Sequence, residues 1–333
     1  TTQWKLGRTS MGVEFRNEGV RSNVLGKPMK EPQDVPFEKE GQYLKSDNRN
    51  NISYFLEHNV LLRRFTLSVG VLANYNSALN EGIHFYPGID ASYRIGDNFR
   101  LYGSWNRALR MPTFTDLYYE GKTNKGNPDL KPEESEAFEV GLKYNTYFLR
   151  AHIAGFYRKG KNMIDWVKEK PEDIWESQNL TKVDNLGFET NLSLLPRELG
   201  NERFFIRKIE LGYAFIHQDK DSEGYISNYA LDYLKHKFTA QLSHSIWKGF
   251  SATWYVRWQD RAGSYTKYEN LKPAYEEPYA PYCLVDMKVN WEYQRLNLYA
   301  ELNNLLNSTY YDLGNIPQPG IWFKAGFRYS FKY

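Results

Sequence analysis

FRLYGSWNRALR, Phe99 to Arg110, sets Phe99, Leu101, Gly103, Trp105 and Leu109 against Arg100, Tyr102, Ser104, Asn106 and Arg110. A period of two is the mark of a β-strand with one face in an apolar medium and the other in water. RMPTFTDLYYEGKTNKGNPDLKPEES, Arg110 to Ser135, follows it, and AFEVGLKYNT then resumes the alternation with Phe138, Val140, Leu142 and Tyr144 on one side. Pro112, Pro128 and Pro132 cannot donate to a ladder, while Gly121 and Gly126 permit turns. Two long strands therefore flank a structured loop.

The same pattern extends in both directions. ISYFLEHNV and FTLSVGVLANY form a hairpin with Ile52, Tyr54, Leu56 and Val60 facing Phe65, Leu67, Val69, Val71 and Tyr75. HFYPGIDASYRI, YFLRAHIAGFYRK, VDNLGFETNLSLL, FFIRKIELGYAFIHQ, HKFTAQLSHSI, SATWYVRWQD, CLVDMKVNWEY, LNLYAELNNLL and IWFKAGFRYSFKY continue it. One strand is expected from Trp4 to about Ser22, followed by a long polar loop with Pro28, Pro32 and Pro36 that ends near Asn50. Another loop is expected around Pro171 and Trp175. Short turns at Leu62, Gly96, Asn145, Lys248 and Gln294 alternate with long loops after Ser22, Arg110, Lys161, Gln218, Arg261 and Asn307, the asymmetry of a membrane barrel.

Composition limits the function classes. The 333 residues carry 43 Lys and Arg against 40 Asp and Glu, a net charge of +3 without a basic patch, which speaks against nucleic acid. Aromatics make up 17%, and mean hydropathy is −0.68. No run approaches the roughly eighteen apolar residues of a membrane helix, whereas a strand needs only alternate apolar residues over about nine to eleven positions. A single cysteine, Cys283, permits no disulfide within the chain.

RALRMPTFTDLYY followed by GNPDLKPEES before a Glu-rich strand resembles the barrel of TonB-dependent outer-membrane receptors. Arg110, Pro112, Gly126, Asn127, Pro128, Leu130, Pro132, Glu133 and Ser135 carry the match. ELNNLLNSTYYDLGNIPQPGIWFKAGFRYSFKY resembles the closing hairpin of that family through Asn303, Leu305, Tyr310, Tyr311, Pro319, Gly320, Phe331 and Tyr333, with Ile321 and Tyr333 as departures. The resemblance implies an all-β, antiparallel transmembrane barrel in the bacterial outer membrane. About fourteen strands of a barrel of about twenty-two are expected here, with residues 1 to 333 as its C-terminal portion and the plug domain outside this chain. It implies uptake of a scarce, bulky nutrient of the siderophore, haem or cobalamin kind. The implied partners are the plug and N-terminal strands of the same receptor, TonB, and membrane lipid or lipopolysaccharide. Two other readings stay open: a self-contained passive channel of about fourteen strands, and a soluble all-β carbohydrate-binding protein.

Nothing resembles a catalytic constellation, and an enzyme is not expected. The histidines lack metal-ligand spacing, and no nucleophile elbow or phosphate loop occurs. DKDSEGYI resembles the first positions of a calcium loop through Asp219, Asp221 and Glu223, but Ala230 stands where a bidentate Glu is needed, so a solvated acidic loop competes with it. Calcium is the one candidate cofactor. Tyr118, Tyr119, Tyr225, Tyr229, Tyr265 and Tyr268, with Tyr275 and Tyr279, fall in loops, where large rings with polar tips suit a bulky ligand. Loop packing or an interfacial girdle would employ the same residues. The charged residues of the polar face, Lys208, Glu210, Arg257, Asp286, Lys288, Glu292, Glu301, Lys324 and Arg328, are expected to meet water, plug or one another.

Overall fold

The computed structural model describes residues 1–331 apart from 80–81, 171, 201–202, 222–223, 228–232, 270–271 and 315. Its long strands are β1 (Gly7–Ser22), β2 (Gln42–Leu61), β3 (Phe65–Asn76), β4 (Ile83–Ile95), β5 (Phe99–Arg110), β6 (Glu133–Asn145) and β7 (Leu149–Lys168). They continue as β8 (Trp175–Leu194), β9 (Ile206–Asp221), β10 (Leu234–Trp247), β11 (Phe250–Arg261), β12 (Tyr282–Tyr293), β13 (Leu296–Asn303) and β14 (Trp322–Tyr329). Each pairs antiparallel with the next, so the chain forms one up-and-down sheet.

Residues directly opposite in an antiparallel pair share a face, so the register shows whether the alternating patterns agree from strand to strand. They do. One row across β4 to β9 reads Ile89, Trp105, Phe138, Tyr157, Leu186 and His217. Two further rows on the same face read Ala240, Val256 and Val285 across β10 to β12, and Val289, Ala300 and Ala325 across β12 to β14. Phe327 keeps 74% of its surface exposed and Val140 63%, values that suit lipid rather than water on this side. The opposite face is polar, and its charges pair laterally. Glu301 accepts from Lys288 at 2.7 Å and Lys324 at 2.6 Å, Lys208 meets Glu210 at 2.7 Å, and Asp286 accepts the Asn304 N–H at 2.7 Å.

The sheet is open. A short piece, Thr2–Trp4, pairs with β1, and among the described residues nothing pairs it with β14. The expected single strand from Trp4 is thus two pieces joined by a tight turn at Lys5 and Leu6, which Gly7 closes by pairing with Trp4.

Two expected loops are shorter than the sequence suggested. Lys27–Asp34 forms an edge piece that pairs with the start of β2, so β2 begins at Gln42 rather than near Asn50. Pro28 and Pro32 are tolerated there because an edge needs no second row of donors. β7 likewise runs to Lys168, beyond the expected end near Lys161, and β8 begins at Trp175. Both extensions lie past the apolar band, where neither face is immersed in lipid and alternation ceases to mark a strand.

Candidate functional site: the long-loop end

The motif loop is closed at its base by its own ends. Arg110 and Glu133 are directly opposite on β5 and β6, and the guanidinium donates to the carboxylate twice, Nε to Oε2 at 2.5 Å and Nη2 to Oε1 at 2.6 Å. Glu133 is buried and its Oε1 also accepts the Ile164 N–H at 2.7 Å, which ties the base to β7. Two-point geometry of this kind is what the planar guanidinium supplies.

Beyond the base, Pro112 offers its carbonyl to Arg49 Nη1 at 2.6 Å. The same guanidinium lies 5.0 Å from the centre of the Phe114 ring and donates from Nε to Glu18 at 2.6 Å. Thr113 then caps α1 (Phe114–Tyr118): its Oγ1 accepts the Asp116 N–H at 3.1 Å, and Asp116 accepts the Thr113 N–H at 3.0 Å. The Tyr118 hydroxyl donates to Asp47 at 2.5 Å; burial, and then this bond, push its pKa up. The Asn127 N–H reaches Asp116 O at 2.9 Å and the Gly126 N–H reaches Tyr119 O at 2.6 Å, folding the second half of the loop back on α1. A Cβ on Gly126 would fall 2.8 Å from the Tyr118 nitrogen, so only glycine fits. The motif residues thus fix the shape of the loop.

The β7–β8 hairpin is clasped by two loops. Asn124–Lys125 pairs in parallel with Trp175 and Glu176, while Val167 and Lys168 pair with Ile226–Ser227. Asn179 accepts the Lys131 N–H at 2.8 Å and returns a bond to Lys131 O at 2.9 Å. Asp165, Trp166, Val167 and Ser177 are buried beneath this clasp, and the Ser227 hydroxyl donates to Asp165. Lys220, one residue from the end of β9, has a buried ammonium without a hydrogen-bond partner among the described residues.

A second hairpin, Ser264–Glu269 with Lys272–Pro278, folds onto the last loop. Lys267 pairs with Glu277 at 3.0 Å and lies 5.8 Å and 5.6 Å from the Tyr265 and Tyr311 ring centres. Tyr265 also meets Tyr279 at 5.1 Å, and Tyr282, whose ring meets Tyr310 at 4.7 Å, donates to Asp312 at 2.5 Å.

The tyrosines singled out in the sequence separate by role. Tyr118 and Tyr265 are committed to contacts within the loops. Tyr119 remains 39% exposed with its ring edge-on to Trp166 at 6.4 Å, Tyr225 is half-buried just before Ile226–Ser227, and Tyr268 is exposed. Tyr229, Glu223 and the Asp221 side chain lie outside the described residues. Asp219 is on the apolar-facing side of the wall, 3.8 Å from Lys182. Among the described residues no group of three His, Cys, Asp or Glu could hold a metal ion. Arg49, Asp47, Asn179, Trp166 and Lys220 were missed in the sequence. The apolar MIDWV run was the one local signal that the chain after Lys161 becomes buried.

The profile of the family described as TonB dependent receptor-like, beta-barrel matches residues 1–305. A vitamin B12 transporter BtuB of Vibrio vulnificus is 27% identical over 225 residues, covering 51% of this chain and 36% of that protein. The ferrienterobactin receptor of Escherichia coli is 22% identical over 297 residues, covering 80% of this chain and 38% of that protein. In three dimensions the siderophore receptor PirA of Acinetobacter baumannii superposes with a TM-score of 0.72 at 16% identity, over 99% of this chain and 53% of that one. The chain thus spans about half the length of that solved receptor, and the matches span little more than a third of the curated relatives.

Proposed function

The chain belongs to the TonB-dependent receptor β-barrel family, and from that membership we propose that it supplies wall and outer loops to a receptor importing a scarce, bulky nutrient. The relatives named for vitamin B12 and ferrienterobactin favour a ligand of the cobalamin or siderophore kind, with haem as the third candidate. Residues 1 to 333 act as one portion of the barrel. The rest of the receptor contributes further strands, a plug and the contact with TonB, and this portion transports rather than catalyses.

The observation that carries this reading is the continuous apolar row on one face, set against a polar face whose charges pair off laterally. An open sheet also favours it over the passive channel. Each unpaired backbone group at an edge in hydrocarbon costs several kcal/mol, so partner strands on both sides of this sheet are required. The outer ligand surface is assigned to the loop aromatics that keep exposed faces, Tyr119, Tyr225 and Tyr268, with Tyr118 and Tyr265 holding the loops and Tyr229 as a further member.

The test is uptake of labelled ligand by cells carrying the complete receptor. Uptake should stop when the proton gradient is dissipated, and a Tyr118→Ala, Tyr119→Ala double variant should bind ligand more weakly. Uptake that continues without the gradient would favour the passive channel, and unchanged affinity in the double variant would remove the loop aromatics from the site.

A further inference from the structure

Lateral pairing of charge fails at one place on the polar face, near its short-turn end. Directly opposite one another across β4 to β7 stand Arg94, Arg100, Lys143 and His152, and Arg150 follows in the next row, opposite Asn145 and Ser193. Like charges set opposite each other on one face of a sheet repel. Arg94, Arg100, Lys143 and Arg150 are exposed and have no ion-pair partner among the described residues. The carboxylates nearest in register are already engaged. Glu139 accepts from Tyr102 at 2.7 Å, Glu189 faces His152 Nδ1 at 3.8 Å, and Glu210 takes Lys208 at 2.7 Å. The Lys143 ammonium rests 4.8 Å from the centre of the Tyr102 ring, which fixes it on this face.

The same cations border a recess. A cavity of about 390 Å³ opens on the polar face between β6 and β10, lined by Lys143, Arg150, His152, Asn191, Ser193 and Thr239, with Glu210 at its rim. Gly212 lies directly between Asn191 and Thr239, and a Cβ there would fall 2.7 Å from Thr239 Oγ1 and 3.0 Å from Asn191 Oδ1. The missing side chain lets these two polar tips close over bare backbone. Two uncommitted cations and the donors of Asn191, Ser193 and Thr239 thus border one space, while the rim carboxylate is already offset by Lys208. That is a donor set for anionic oxygen.

We propose that this recess is a transit site for anionic oxygens of the imported nutrient, such as the carboxylate or phenolate groups of a metal chelate. Lys143 and Arg150 hold the anion, and Arg100 and Arg94 are the next positions sideways along the wall. Several exposed cations in a row suit passage better than one buried pair, because a transit site must bind well enough to receive its cargo and weakly enough to release it. The site lies at the opposite end of the wall from the loop aromatics, so the nutrient reaches it after leaving the outer surface. The nutrient class is then anionic, which selects a charged chelate or haem over a ligand without net negative charge. The proposal rests on the receptor reading given above and deepens it.

Cells carrying the complete receptor are offered labelled ferric enterobactin, haem and cyanocobalamin; the first two are anionic and the third carries no net charge. Energised import of an anionic probe should fall about tenfold or more in Lys143→Gln with Arg150→Gln, which removes two charge-assisted bonds. Surface binding with the gradient dissipated should stay at the wild-type level. Lys143→Arg with Arg150→Lys should import as the wild type does. Unchanged import in the double Gln variant would overturn the proposal. So would a melting temperature that falls together with import, which would assign the cations to a structural contact with the plug, and so would import of cyanocobalamin alone. Import of none of the three would refute the receptor reading itself, and the transit site with it.

Discussion

Tyr102 on β5 stands directly across from Gly141 on β6, and its ring fills the space a side chain at 141 would need. A Cβ on Gly141 would fall 2.5 Å from the ring. The hydroxyl of the same ring donates to Glu139 at 2.7 Å and lies 2.8 Å from His152 Nε2, so one side chain joins β5, β6 and β7 on the polar face. The pairing of aromatic with glycine recurs directly across strands at Phe55 and Gly12, Phe156 and Gly187, and Tyr299 and Gly326. At each of these pairs a flat ring covers the bare backbone of the glycine across from it.

Gly141→Val should therefore displace Tyr102, sever both hydroxyl contacts and destabilise the complete receptor by about 1–3 kcal/mol. Gly70→Ala, whose Cβ would meet nothing nearer than 3.5 Å, should leave stability unchanged. Thermal unfolding in detergent compares the two, and equal melting temperatures would show that the ring is not a fixed cover.

The base of the motif loop depends on a half-exposed arginine and a buried glutamate. Glu133→Ala removes both guanidinium bonds and the acceptor for the Ile164 N–H, at a cost of about 1–2 kcal/mol once solvent screening of Arg110 is allowed for. Limited proteolysis should then cut within residues 111–132 at protease levels that leave the wild type whole. Unchanged resistance would mean that the clasp from Asn179 and Trp175 suffices alone.

The hairpin over the last loop should respond to acid. The hydrogen bond from Lys267 holds the Glu277 carboxyl below its ordinary 4.5, and the reciprocal bond holds the Lys267 ammonium above 10.5. A depressed acid contributes stability that is present above its unfolded value and fades as pH falls through the folded one. A raised base contributes stability that is present below its unfolded value and fades as pH rises through the folded one. The latch is accordingly complete between these limits and loosens below pH 4.5. A nitroxide at position 268 should gain mobility on acidification of the complete receptor and be mobile at every pH in Lys267→Met. Constant mobility across the acid range in the wild type would refute the latch.

Phe327→Arg should cost about 2–4 kcal/mol if position 327 lies near the bilayer midplane, whereas Arg328 is native one position away on the polar face. Refolding of the complete receptor into lipid vesicles measures it, with Arg328→Phe as the companion. A negligible cost at 327 would place that side chain in water.

The wall was legible in the sequence because lipid enforces alternation: FRLYGSWNRALR and AFEVGLKYNT declare which side chains share a face before any pairing is known. The base of the loop was legible in part, since Arg110 and Glu133 belong to the quoted motif, although their contact was not predicted. The clasp was not legible. Asn179 and Trp175, at the start of β8, meet Lys131 and Asn124 of the motif loop through amide and backbone groups, and that loop follows no period; β7 continues past Lys161 through the apolar MIDWV run, which does not alternate. The charged row above the apolar band was hidden for another reason: each strand contributes a single residue to it, and only the register sets Arg107, Glu136, Lys159 and Asp184 side by side.

The central claim is that one face of this sheet meets lipid and the other does not. Nitroxides placed singly from position 137 to 144 along β6, in the complete receptor reconstituted into bilayers, test it most directly. The account predicts that labels at 138, 140, 142 and 144 are quenched by oxygen dissolved in the lipid, while those at 137, 139, 141 and 143 are reached by a water-soluble nickel chelate or buried against neighbouring protein. Equal access of the chelate to both sets would contradict it.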